Sequence, residues 1–152
     1  MRTRPAGFEP SDTSIFAALA EPMARVLLDT TVLIDVLRGR PAAARLGSLR
    51  GQQDVPFVCA LNVEEVIRGL RPGEEAGARR LFNGMLVAPL GRPEGELAGR
   101  WRRKYAARSV TLSQADCLVA AAAVGVGARL ATGNAKDYPM PELVIEHWPV
   151  GR

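Results

Sequence analysis

Short apolar runs, each closed by a polar or turn residue and followed by a stretch with helical spacing, constrain this chain more than any other feature. Residues 26–28 (VLL) form the first, ending at Asp29, and residues 56–61 (PFVCAL) form the second. A strand with one wet face alternates apolar and polar residues, whereas a strand without alternation must be covered on both sides. Parallel strands joined by crossover helices meet that condition. The expected fold is therefore α/β, a mostly parallel central sheet flanked by helices on both faces.

The intervening stretches supply those helices. After Asp29, the residues Val32, Leu33, Val36 and Leu37 fall on one helical face, and Gly39 stops the helix. Residues 41–50 form a second helix with Pro41 in its first turn. Asn62 is the expected N-cap of a helix through residue 70. Residues 74–85 read as a helix, 86–90 as a short strand, and 93–107 as a charged helix carrying Trp101 and Tyr105. Ser113 opens the most apolar helix, which runs to residue 124; a strand at 128–132 is closed by Gly133, and a last strand spans 143–148.

At 152 residues and 47% hydrophobic content the chain has material for one domain with a sizeable core. No apolar run approaches the ~18 residues that a membrane-spanning helix needs, so a soluble, cytoplasmic protein is expected. Cys59 and Cys117 lie inside apolar runs and suit core packing, and one histidine, His147, cannot make a zinc site with them at any usual spacing. Twenty basic against 16 acidic residues leave a net charge of +4, a mild bias toward a polyanionic partner such as nucleic acid. The first 22 residues hold Pro5, Gly7, Pro10 and Pro22 around one short apolar patch at 15–20. They are expected to form a flexible arm, with the globular domain spanning 23–152. The patch is too short for the apolar core of a secretory signal.

In parallel sheets, ligands sit beyond the carboxyl ends of the strands, which directs attention to polar residues just after each run. Asp29 follows the first run directly, where it fits either a ligand or the cap of the next helix. Glu65 lies on the helix after the second run, and its neighbour Glu64 points about 100° away around that helix. Asp116 is the third helical residue after Ser113, a capping-box position. Asn134 and Asp137 follow the strand at 128–132 and fit a turn as well as a site. Acids converging without bases repel one another unless a cation joins them, and hard divalent cations take oxygen ligands.

The stretches RVLLDTTVLIDVLRG, ALNVEEVIRGL, LSQADCLVAAAA and LATGNAKDY come in the order and spacing that resemble PIN-domain ribonucleases, above all the VapC-type toxins of bacterial toxin–antitoxin pairs. The resemblance covers residues 23–149. It implies metal-dependent hydrolysis of RNA, with Mg2+ or Mn2+ held by Asp29, Glu65 and Asp116, and Asn134 at a fourth position that is often an acid in the family. Gly69, four residues after Glu65, selects Glu65 over Glu64 in this comparison, and Thr30 and Thr132 match hydroxyls that support the cluster. The resemblance further implies a cognate VapB-like antitoxin and a homodimer. Arg68, Arg71, Arg100, Arg102, Arg103 and Lys104 are candidate phosphate contacts.

Two other readings compete. A haloacid-dehalogenase-type phosphatase also starts on an apolar strand ending in Asp, but it wants a second Asp two residues on, where this chain has Thr31. A binding module that keeps the fold without catalysis is the other, prompted by Asn134. Removal of the first 22 residues is expected to leave folding and RNA cleavage intact. Soluble expression and a cleavage assay of a chain beginning at Met23 check this, and insolubility would place the arm in the core.

Overall fold

The computed structural model describes residues 24–151; the arm at 1–22 lies outside the described residues. Five strands form one sheet: β1 (Arg25–Leu28), β2 (Val55–Cys59), β3 (Leu86–Ala88), β4 (Arg129–Thr132) and β5 (Ile145–His147). Their order is β3-β2-β1-β4-β5, and every neighbouring pair is parallel. Among the described residues six α-helices accompany them: α1 (Thr30–Leu37), α2 (Pro41–Gly51), α3 (Ala60–Arg68), α4 (Glu75–Asn83), α5 (Arg92–Ala106) and α6 (Gln114–Gly125). The expected α/β architecture is the observed one. No helix among the described residues is long and apolar enough to cross a membrane.

The unalternating runs are buried on both sides, as their composition requires. Val26, Leu27 and Leu28 have no exposed surface. Successive side chains point to opposite faces. Leu27 packs with Phe57, Ala98, Trp101, Cys117 and the alanines of α6, while Val26 and Leu28 pack with Val32, Leu33, Leu46 and Val66 from the helices of the other face. Alanine at positions 120–123 is what lets α6 lie close to the sheet and to α5, since each is fully buried.

One boundary differs from expectation. Asn62 is not the cap of α3, because the chain turns helical at Ala60, with Cys59 in an extended conformation just before it. Asn62 instead reaches back from the first turn, and its Oδ1 accepts from the Cys59 amide at 3.1 Å. An amide at the third helical position satisfies the orphan N–H of the cap as well as a capping residue satisfies the turn.

The end of the chain folds back on α1 and on the loop after β4. Asp35, 1% exposed, accepts from the Gly151 amide at 3.0 Å and faces Arg40 at 3.6 Å. Gly133 lies against Val150 so closely that a Cβ there would stand 2.6 Å from Cγ2 of Val150. Gly133→Ala is therefore expected to cost about 1–3 kcal/mol by overpacking. Val150→Ala should restore most of it in the double variant, as urea denaturation of the four proteins will measure.

Candidate active site

The pairing of β1 with β4 places Leu28 opposite Ala131 and brings the residues that follow both strands to the same edge. The Asp29 amide closes the ladder by donating to the Ala131 carbonyl at 2.9 Å. Asp29 then does two things at once. Its Oδ1 accepts from the Thr30 amide at 2.8 Å and caps α1, while its Oδ2 accepts from the Thr132 hydroxyl at 2.8 Å and the Tyr138 hydroxyl at 2.9 Å. Capping and cluster membership, alternatives in the sequence, are both present in one carboxylate.

Asp116 reaches the same hydroxyl from α6. Its amide donates to the Ser113 Oγ at 3.0 Å, so the capping reading accounts for its backbone. Its side chain remains directed at the cluster, with Oδ1 3.4 Å from the Tyr138 oxygen. Glu65 arrives from α3 and accepts from the Thr30 hydroxyl at 2.6 Å. Glu64 lies exposed on the other side of that helix, 3.5 Å from Arg68. Glu65 thus faces the strand edge and Glu64 faces away from it.

Asn134 is placed differently from the acids. Its backbone amide donates to the Thr132 hydroxyl at 3.0 Å, fixing the oxygen that in turn donates to Asp29, but the residue is exposed. Asp137, in a short 3₁₀ turn (Ala135–Asp137), is also exposed. Asn62, expected only as a helix cap, and Tyr138 join the network without being candidates for the site in the sequence. Asn62, fully buried, donates from Nδ2 to the Thr30 hydroxyl at 3.2 Å. Tyr138, 3% exposed, is held in place by its neighbour, since the Pro139 carbonyl accepts from the Tyr105 hydroxyl of α5 at 2.9 Å. The signal for Tyr138 was a hydroxyl-bearing aromatic in the turn after β4, at a position where core packing alone would want phenylalanine.

Burial dominates the electrostatics. It pushes the Asp29 carboxyl above the usual aspartate range, against the pull of the Thr132, Thr30 and Tyr138 hydrogen bonds, and the Asp116 charge adds to the rise. Burial and the two adjacent carboxylates raise Tyr138 far above an ordinary phenol, so it keeps its proton and donates. Burial likewise raises Cys59 and Cys117, which suits inert core thiols rather than nucleophiles.

Every donor atom at this edge is oxygen: the carboxylates of Asp29, Asp116 and Glu65 and the hydroxyls of Thr30, Thr132 and Tyr138. That set fits magnesium or manganese rather than a soft metal. Among the described residues no group of three acids is gathered tightly enough to cage an ion. The arrangement suits an ion held by one or two carboxylates and reached by the others through water, the usual mode for magnesium. Of the candidate phosphate contacts, Arg102 donates to the Leu112 carbonyl at 3.2 Å, Arg68 faces Glu64, and Arg71, Arg100, Arg103 and Lys104 are exposed.

A parallel sheet with acids at its carboxyl edge defines an α/β protein in outline, and sequence comparison makes the class specific. Residues 26–138 match the PIN domain, and the chain belongs to that family. It is 33% identical over 119 residues to Ribonuclease VapC19 of Mycobacterium tuberculosis, covering 77% of this chain and 95% of that protein. Ribonuclease VapC10 of the same species is 32% identical over 118 residues, covering 77% of this chain and 88% of the relative. Among solved structures, VapBC2 from Rickettsia felis bound to a DNA fragment from its promoter superposes with a TM-score of 0.70 at 17% identity, over 82% of this chain and 98% of that one. This last likeness concerns the fold.

The raised Asp29 carboxyl has a definite pH signature. A group whose pKa is higher folded than unfolded contributes stability that is complete below the unfolded value, about 3.9 for aspartate, and is lost as pH rises through the folded value. In EDTA, wild type is expected to lose stability relative to Asp29→Asn as pH rises from about 4 toward neutrality. Urea midpoints of the two proteins across that range check this; a constant difference would show that Asp29 is not penalised by burial.

Proposed function

We propose that the protein is a Mg2+- or Mn2+-dependent endoribonuclease, the toxin of a toxin–antitoxin pair, acting in the cytoplasm as a homodimer and restrained by a VapB-like antitoxin. Support for the chemistry comes from one observation above all: the Asp29 and Asp116 carboxylates, carried by β1 and α6, converge on a single hydroxyl at the strand ends. Support for the substrate and the partner comes from the relatives, which are named ribonucleases, and from the fold shared with VapBC toxin–antitoxin complexes. Membership of the PIN family leaves the phosphatase reading without footing.

Asp29, Asp116 and Glu65 would hold the ion, directly or through water. When bound, the ion supplies a polarised phosphate and a water acidic enough to give hydroxide near neutral pH. The protein's own residues fix where that chemistry happens. Thr30 and Thr132 each donate to one of the acids and stop it from rotating away. The Asn134 amide holds Thr132, and its exposed side chain would orient a water or a ligand of the ion. Arg100, Arg103 and Lys104 on exposed faces of α5, with Arg71 beside α3, offer phosphate contacts that would position an RNA strand without reading its sequence.

Asp29→Asn and Asp116→Asn are each expected to lower RNA cleavage by on the order of a hundredfold or more, as loss of a preorganised transition-state stabiliser does. Both should fold, since an asparagine at position 29 still caps α1. A cleavage assay in Mn2+ with circular dichroism alongside provides the check, and cleavage unchanged in either variant would remove that carboxylate from the mechanism.

A further inference from the structure

The Tyr138 hydroxyl occupies the gap between two carboxylates that the proposed metal would have to enter. It donates to Asp29 Oδ2 at 2.9 Å and lies 3.4 Å from Asp116 Oδ1. Asp29 Oδ2 already accepts from Thr132 at 2.8 Å, and a carboxylate oxygen has two in-plane lone pairs, so both are committed. Oδ1 is partly committed as well, to the Thr30 amide. A cation approaching between Asp29 and Asp116 must therefore take the place of a donor.

The two donors on Oδ2 differ in how readily they yield. Thr132 is buried and its oxygen is held by the Asn134 amide at 3.0 Å, a backbone group that cannot turn. Among the described residues, the Tyr138 hydroxyl has hydrogen-bond partners only in the two acids. Its ring, however, cannot swing clear, being buried and followed by Pro139, whose carbonyl is tied to Tyr105. The phenol stays in the site whether or not its hydrogen bond is made.

We infer that Tyr138 is a positioning residue that stands in for the metal: its hydroxyl proton bridges Asp29 and Asp116 in the ion-free protein, steadies the fold there, and lowers the affinity of the site for the cation. The inference rests on the metal-dependent reading above and adds a residue that sets how readily the site loads. Without the ion, the proton screens two like charges that would otherwise repel. With the ion, that hydrogen bond must be given up, and its loss subtracts from binding.

Tyr138→Phe removes one oxygen and leaves the ring. Titration calorimetry of EDTA-treated, dialysed protein with Mn2+ is expected to show a Kd about 3- to 10-fold lower in the variant than in wild type. Thermal midpoints should fall in EDTA and recover in saturating Mn2+, so that the span between the two conditions widens. A residue that merely shapes the site would weaken binding when removed. An unchanged or higher Kd in Tyr138→Phe therefore overturns the inference, the higher value marking the phenol oxygen as a ligand. Should the variant not fold in EDTA, recovery of its native circular dichroism on adding Mn2+ at concentrations below the wild-type Kd supports the inference, and failure to recover overturns it. Absence of Mn2+ binding by wild type would overturn the metal reading together with this one, whereas binding that Tyr138→Phe leaves unchanged would overturn this one alone.

Discussion

The parallel pairing of β1 with β4 is the constraint on which the site depends. These strands are separated by most of the chain, yet their register sets Leu28 beside Ala131 and lets the Asp29 amide continue the ladder one residue beyond β1. That last hydrogen bond fixes the backbone of Asp29, and Thr132, next along β4, is then within reach of its carboxylate. A slip of one residue would turn Leu28 out of its core and Asp29 into it, because side chains alternate along a strand. The burial of Val26, Leu27 and Leu28 on both faces is what makes such a slip costly.

The helices supply what the strands cannot. α1 starts where β1 ends and uses Asp29 as its cap, so the carboxylate that meets Thr132 and Tyr138 is also the one that begins the helix. α3 starts where β2 ends and carries Asn62 and Glu65 inward on one side, with Glu64 outward on the other. α6 contributes Asp116 from its first turn while its alanines close the opposite core. Three different cap or first-turn positions thereby face one strand edge. Polar residues are tolerated there because helix N-termini bring unpaired N–H groups and a partial positive charge that favour acids.

Much of this was legible in the sequence, and for local reasons. The unalternating run before Asp29 could only be a covered strand, and Ser113 with Asp116 could only begin a helix. Glu65 is set apart from Glu64 only by the resemblance to PIN-domain ribonucleases, through the glycine four residues on. The sequence pattern places the start of α3 three residues late, because Asn62 has the composition of a cap but serves from the third helical position. The sequence offers Asn134 for the cluster, and among the described residues it is the backbone amide that joins the network. Tyr138 shows in the sequence only as an aromatic with a hydroxyl: its partner Asp29 is 109 residues away, and nothing short of the strand order brings them together. Position along the chain is readable from pattern; adjacency across a sheet is a property of topology.

Asn62 gives the hydrogen bonds around Glu65 a fixed sense. The Cys59 amide can only donate, so the carboxamide oxygen of Asn62 must face it, and the nitrogen is left to face Thr30. The Thr30 oxygen accepts that hydrogen bond, and its hydroxyl donates to Glu65. The sequence of donors from the end of β2 to the acid therefore runs one way only, with no equivalent arrangement in which the amide is flipped or the hydroxyl reversed. The order begun by a single backbone N–H is carried across three side chains, and Glu65 meets its surroundings with one oxygen already assigned.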